Sequence, residues 1–289
     1  MTLDGHTVAV LGLGLIGGSM ARDLAALGVR VMGYDAIDGT LDTACAAGVV
    51  RERLDASLAA MERATIVVVA VPVSATRDIL TAASTHLIRA SLVMDVGSTK
   101  QSVVATAQSI GMAEQFVGSH PMAGDHRSGW SASRRGLFEG AKVYLCPASS
   151  TSNHSLALAQ ELWTTLGAHP ELIESDVHDR RVAFTSHLPQ TASAAIALAL
   201  SRANVSPGDL GKGGRDVLRI AASSPEMWTA IAMDNAESIQ LAVSELQTQL
   251  TRFQAAMAAR DDRTLHGLFS EARDWAEEVM LIPGARSDV

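Results

Sequence analysis

The chain has 289 residues, 47% hydrophobic and 19% charged, with a formal net charge of -8. That length suits two domains of ordinary size, and the apolar share excludes an intrinsically disordered chain. The acidic balance, with no run of Lys or Arg, excludes a nucleic-acid surface.

Met1 leads within a few residues into a strand, so no signal peptide is expected. Residues 7–11, Thr-Val-Ala-Val-Leu, are a short β-branched run that reads as a strand buried on both faces. Gly12-Leu13-Gly14-Leu15-Ile16-Gly17 follows at once. Ile16, Met20, Leu24 and Leu27 then recur at helical spacing, with Gly28 as the C-cap. A second strand over 29–34 ends in Asp35. Strand, glycine turn, helix, strand and acid, in that order, are the context in which GxGxxG binds a dinucleotide. Gly12 makes the tight turn, Gly14 lets backbone meet the pyrophosphate, and Gly17 lets the helix close on the strand. Asp35 stands where an acid accepts hydrogen bonds from the adenosine ribose and repels a 2′-phosphate, so NAD rather than NADP is the expected cofactor. The expected cofactor-binding set is Gly12, Gly14, Leu15, Ile16, Gly17, Asp35, Val71 and Pro72.

The alternation continues. Residues 66–71 form a buried strand ended by Pro72, with Ser74 placed to cap the next helix. The strand 92–95 opens onto Val96-Gly97-Ser98-Thr99-Lys100. Phe116-Val117 leads into Gly118-Ser119-His120-Pro121-Met122-Ala123-Gly124, and strands at 142–145 and about 169–174 flank a helix at 154–166. Repeated βα units predict a Rossmann-type doubly wound, mainly parallel sheet over residues 1–174. In such a sheet ligands bind beyond the C-terminal strand ends, where the glycine loop, Pro72, Gly97-Ser98 and His120 all fall. A histidine held there is placed to act as a general base.

Residues 175–289 read as all helical. The span 177–202 is one apolar helix interrupted near Pro189; it holds His187 and Gln190 and is a buried helix rather than a membrane span. Gly211-Lys212-Gly213-Gly214 reads as a flexible loop, a short helix carries Arg219, and Ser224 caps a helix that begins at Pro225. Residues 229–258 read as one long helix whose Ile239, Val243, Leu246, Leu250, Phe253 and Met257 form a coiled-coil-like seam. A last helix sets Leu265, Leu268, Phe269, Ala272 and Trp275 on one stripe, with no third domain expected after it. Substrate is expected between the two domains. Cys45 and Cys146 lie in no CxxC or zinc spacing and read as free thiols, which points to the cytoplasm.

The segment Gly118 to Gly124 with Ser128-Gly129, then Ser186-His187-Leu188-Pro189, then Gly213-Gly214-Arg215-Asp216, Arg219-Ile220-Ala221 and Ser224-Pro225-Glu226-Met227-Trp228, resembles the prephenate/arogenate dehydrogenase family of tyrosine biosynthesis, in order and over almost the whole chain. The resemblance implies a helical dimerisation domain and a homodimer. It also implies residue roles. His120 matches the catalytic histidine, and Ser98 a serine that bonds both the reacting hydroxyl and that histidine. Arg219 matches the arginine that grips the ring carboxylate, Ser186 lines the site, His178 matches a histidine near its mouth, and Trp228 an aromatic close to the substrate. For Trp228 plain core packing is the competing reading, and His187 reads as a helix-core imidazole bonded to backbone. His178-Asp179 has no partner ligands at metal spacing, so no metal is expected. The chain departs from the family at Gln190, where many members have histidine, and at Asp125-His126-Arg127, where many have Thr-Glu-Lys. Both departures bear on substrate choice.

The chemistry so implied is oxidation of prephenate at C4 by NAD⁺ with loss of CO₂, and His120 as base. Prephenate is expected over arogenate. Gln190 serves either side chain, Asp125 would favour the amine of arogenate, and Lys212, Arg215 and Arg219 suit the dianionic keto acid. Two other readings stay open at this point. A β-hydroxyacid dehydrogenase would need a lysine in the helical half, where Lys212 is the only one; a non-catalytic NAD sensor would leave Ser98, His120 and Arg219 without a task.

Overall fold

The computed structural model describes residue 3, residues 5–124 and residues 127–281. Its first strand, β1 (Thr7–Leu11), alternates strictly: Val8 and Val10 enter one core, Ala9 and Leu11 the other. That period of two, apolar on both faces, makes it a central strand. The chain turns at Gly12 into α1 (Leu15–Ala26), then β2 (Arg30–Tyr34), α2 (Asp38–Ala46) and a two-residue edge strand, β3 (Glu52–Arg53). The edge strand is too short for any alternation to announce it in the sequence. Next come β4 (Ile66–Val69), α3 (Val73–Leu87), β5 (Leu92–Asp95), α4 (Gln101–Ser109) and β6 (Phe116–Pro121). The sheet closes with β7 (Lys142–Pro147), α5 (Asn153–Thr165) and β8 (His169–Leu172).

The strand order is β3-β2-β1-β4-β5-β6-β7-β8, parallel throughout except where β7 runs against β6. The C-terminal ends of β1, β2, β4, β5 and β6 therefore lie along one edge. The expected cap of α3 is not made: Pro72 occupies the N-cap and no side chain bonds there.

The helical part begins with α6 (Ser175–Val182), continues through a π-helical turn at Ala183–His187, and resumes as α7 (Leu188–Arg202). The interruption expected near Pro189 falls in the turn before it. Proline has no N–H to return to Thr185, and the Leu188 N–H reaches back five residues to the Ala183 carbonyl. The stretch read as a glycine loop instead enters a helix, α8 (Lys212–Leu218), and a 3-10 turn at Arg219–Ala222 follows. In α9 (Pro225–Asp234) the Ser224 hydroxyl accepts the Met227 N–H, as the sequence predicts. The single helix expected over 229–258 is two: α9 ends at Asn235, with φ -112° and ψ 34°, and α10 (Ala236–Ala259) follows. The last helix is α11 (Asp262–Met280). Compact units divide between Ile239 and Gln240. Among the described residues no helix is long and apolar enough to cross a membrane.

Candidate active site

The glycine loop is built by exclusion. Gly12 has φ +94°, and a Cβ there would lie 2.4 Å from the Ala70 carbonyl oxygen. A Cβ on Gly17 would meet the Gly12 carbonyl at 2.0 Å, so both positions require glycine. Gly14, by contrast, faces open space and caps α1 with no side-chain bond. The first amides of α1 are therefore left for an anionic ligand. Leu15 and Ile16 are half-buried in the first turn. Asp35, at the end of β2, accepts the Leu13 N–H at 2.7 Å and the Ile37 N–H at 2.9 Å, which ties the acid to the loop. Val71 is half-buried and Pro72 exposed beyond β4, on the same edge. Open space at Gly14, uncapped amides and a fixed acid fit the phosphates and ribose of a dinucleotide.

His120 lies at the C-terminal end of β6 with 9% of its surface exposed. Its Nδ1 bonds Nε2 of His178 at 2.9 Å, and Nδ1 of His178 bonds the Asp179 carboxylate at 2.7 Å. That carboxylate also accepts the backbone N–H groups of Lys100 and Gln101, at 2.8 and 2.9 Å. Asp179 on α6 thus caps the N-terminus of α4 from another element. Beneath the ring, the fully buried Lys100 ammonium pairs with the buried Asp95 carboxylate. Gly118 leaves room for the lysine stem: a Cβ there would lie 3.2 Å from Lys100 Cδ. Asn235 donates to the Asp179 carbonyl at 2.8 Å and bonds His187 Nδ1 at 3.3 Å, and the His187 ring stands edge-on to Trp228 with centroids 5.8 Å apart.

Burial is the largest cause holding the His120 imidazole well below its ordinary pKa, with His178, Lys100 and His187 adding to it. Burial also lowers His178, against the opposing pull of Asp179, and brings His187 to about 4. All three rings are neutral at neutral pH. A neutral imidazole at a strand end, on the sheet edge that also carries the glycine loop, is equipped to take a proton from a bound hydroxyl.

Several expected positions change. His178 does not stand at a mouth; it is fully buried behind His120. His187 bonds the Asn235 side chain rather than backbone. Ser98 is half-buried in the loop after β5 and bonds no described residue, while His120 gives its Nδ1 to His178. Gln190 is buried on α7 and Ser186 half-buried in the π-helical turn. Arg219 is exposed in the 3-10 turn that packs on α7, outside the histidine network. Trp228 is half-buried, and its buried Nε1 has no partner among the described residues. Asp125 and His126 lie outside the described residues.

The profile of the prephenate dehydrogenase nucleotide-binding domain matches residues 20–172, and that of the prephenate dehydrogenase dimerisation domain matches residues 174–271. The chain belongs to the prephenate dehydrogenase family. A prephenate dehydrogenase of Bacillus subtilis is 33% identical over 283 residues, 95% of this chain and 76% of that protein. A cyclohexadienyl dehydrogenase of Zymomonas mobilis is 31% identical, with 94% of this chain and 95% of that protein covered. The crystal structure of the Aquifex aeolicus prephenate dehydrogenase, in complex with hydroxyphenyl propionate and NAD⁺, superposes with a TM-score of 0.88 at 29% identity, over 96% of this chain and all of that one.

In this candidate site, the sequence alone does not bring out Lys100, Asp179 and Asn235. Asp179 carried no local signal: Ser98 and Thr99 stand just before α4 in the sequence, and only the fold puts Lys100 at the N-cap without a side-chain cap, with its amide and that of Gln101 given to Asp179.

Proposed function

We propose that the chain is an NAD⁺-dependent prephenate dehydrogenase of tyrosine biosynthesis, acting as a homodimer in the cytoplasm, with a nucleotide domain over 1–174 and a substrate and dimerisation domain over 175–289. The observation that carries the activity is His120: neutral, nearly buried, with Nδ1 engaged and Nε2 left for substrate at the strand edge that holds the glycine loop. NAD⁺ would lie on Gly12, Gly14, Leu15, Ile16, Gly17, Val71 and Pro72, with its adenosine ribose at Asp35, and supplies the acceptor for hydride from C4. His120 Nε2 takes the C4 hydroxyl proton, and Ser98 holds the same hydroxyl. The resulting dienone accepts the electron pair of the C1–carboxylate bond as CO₂ leaves, and the ring becomes aromatic. Prephenate dianion and NAD⁺ then balance 4-hydroxyphenylpyruvate anion, CO₂ and NADH with no net proton. The proton lent to His120 therefore returns to the phenolate oxygen. Arg219 positions the ring carboxylate, and Ser186, Gln190 and Trp228 line the substrate's side.

Arogenate is the second reading. Gln190 is neutral and buried where a protonatable histidine would repel an amine, and the Zymomonas relative is named for cyclohexadienyl substrates in general. Free cysteines, Cys45 and Cys146, support the cytoplasmic reading.

The test is kcat/KM for prephenate and arogenate, with NAD⁺ and with NADP⁺, in the parent and in Gln190→His. Prephenate with NAD⁺ is expected to lead, and the histidine variant to widen the gap over arogenate. An arogenate lead of about tenfold, which is about 1.4 kcal/mol in transition-state binding, reverses the substrate assignment. NADP⁺ used as well as NAD⁺ removes the role given to Asp35.

A further inference from the structure

We infer that His178 and Asp179 are positioning residues that fix which nitrogen of His120 carries the proton, acting through the ring and never on the substrate. The inference rests on the reading of His120 as the base. Its ground is the count of donors and acceptors along one buried line. Two N–H groups of the backbone, from Lys100 and Gln101, pin the Asp179 carboxylate, which leaves it an acceptor towards His178. His178 must then carry its proton on Nδ1, because a bare nitrogen 2.7 Å from a carboxylate oxygen would set two acceptors face to face. A neutral His178 is left with a bare Nε2, which can only accept. His120, 2.9 Å away, must supply the N–H from its own Nδ1. Its Nε2 is thereby bare and pointed away from the line, the form a general base requires. Burial keeps His178 from the doubly protonated state that would break this logic.

The same line serves the charged moment of the reaction. When His120 holds the borrowed proton, its Nδ1–H becomes a stronger donor, and the acceptor is already in place. His178 is fully buried and Asp179 nearly so, so water does not compete for either bond. Tyr144 on β7 packs edge-on against His178, with centroids 5.4 Å apart, and holds the ring plane.

The experiment compares His178→Gln and His178→Leu with the parent. Glutamine keeps an oxygen to accept from His120 and an N–H for Asp179; leucine keeps neither. Nitrogen-15 NMR of histidine-labelled protein reads the His120 tautomer directly, and steady-state kinetics separate kcat from KM. The parent and the glutamine variant are expected to show the Nδ1–H form. The leucine variant is expected to lose it and to drop kcat by about ten- to a hundredfold, with both KM values within about twofold. An Nε2–H form of His120 in the parent overturns the inference, and so does a leucine variant with undiminished kcat. So does an equal loss in both variants with a raised substrate KM, which would make His178 a substrate contact. The tautomer is read without turnover, so an inactive parent that shows the Nδ1–H form sinks the proposed function and leaves the positioning line standing. If the leucine variant does not fold, the parent and glutamine spectra decide.

Discussion

At the scale of single residues, His120 gains its chemistry from where β6 leaves it rather than from its own side chain. An imidazole in water titrates at about 6.5 and would be half lost to protonation at that pH. Burial, and after it His178, Lys100 and His187, press the value well below that. The base form is the neutral one, so a lowered pKa extends activity towards acid. kcat/KM for prephenate should stay level as pH falls through 6.5, and decline only well below it. His120→Asn should cut kcat by roughly 10²–10⁴ while NAD⁺ still binds. A descending limb centred at 6.5 in the parent would mean that the ring is solvated during turnover, and a variant keeping most of its kcat would remove His120 from the mechanism. The positions of His120 and of Gly12, Gly14, Gly17 and Asp35 were legible because each sits in a short segment whose neighbours declare a strand end or a tight turn. Lys100, Asp179 and Asn235 were not, because their partners come from other elements and nothing in their local sequence names them.

Elements show the same division. The central strands β1 and β4, though not the edge strand β3, were readable as apolar β-branched runs, and α1 as a 3.6-residue pattern behind its glycine turn. The break between α9 and α10 was not, since the apolar spacing runs through it. Asn235 leaves the helix because its amide is drawn between the Asp179 carbonyl and His187. His187 itself is 1% exposed, and that burial lowers its pKa from 6.5 to about 4. The unfolded chain binds a proton there below pH 6.5 and the folded chain does not, so stability present above 6.5 is lost as pH falls towards 4. The share of His187 is on the order of 3 kcal/mol by the linkage of one pKa unit to about 1.4 kcal/mol. Urea midpoints of the parent should therefore fall steeply between pH 6.5 and 4, with His178 and His120 steepening the same slope. His187→Gln, which offers Asn235 a neutral acceptor, should flatten that slope by its own share whatever it does to stability at pH 7. Parallel slopes in parent and variant would show that His187 takes up its proton without unfolding the site.

On the scale of the whole molecule, the unit from Gln240 onward has apolar surface that its own helices do not cover. Within it Phe253 packs on Phe269, with ring centroids 5.1 Å apart, so part of the seam anticipated from Ile239 to Met257 is used inside the chain. Ile239 is buried as well, but Leu250 and Met257 of the seam are 54% and 56% exposed, and Trp275 on α11 is 69% exposed. Large aliphatic and aromatic side chains left this exposed are unfavourable in water and are what an association face would cover. A second copy is the economical occupant, because a two-fold axis lets one patch cover its own image. The matched profile over 174–271 is that of a dimerisation domain. Sedimentation at micromolar concentration should therefore give twice the 30.3 kDa chain mass. Leu250→Glu combined with Trp275→Glu should shift the protein towards monomer, because two buried carboxylates per subunit cost more than such a contact returns. A parent that sediments as a monomer, or a double variant as firmly dimeric as the parent, would place the association face elsewhere or remove it.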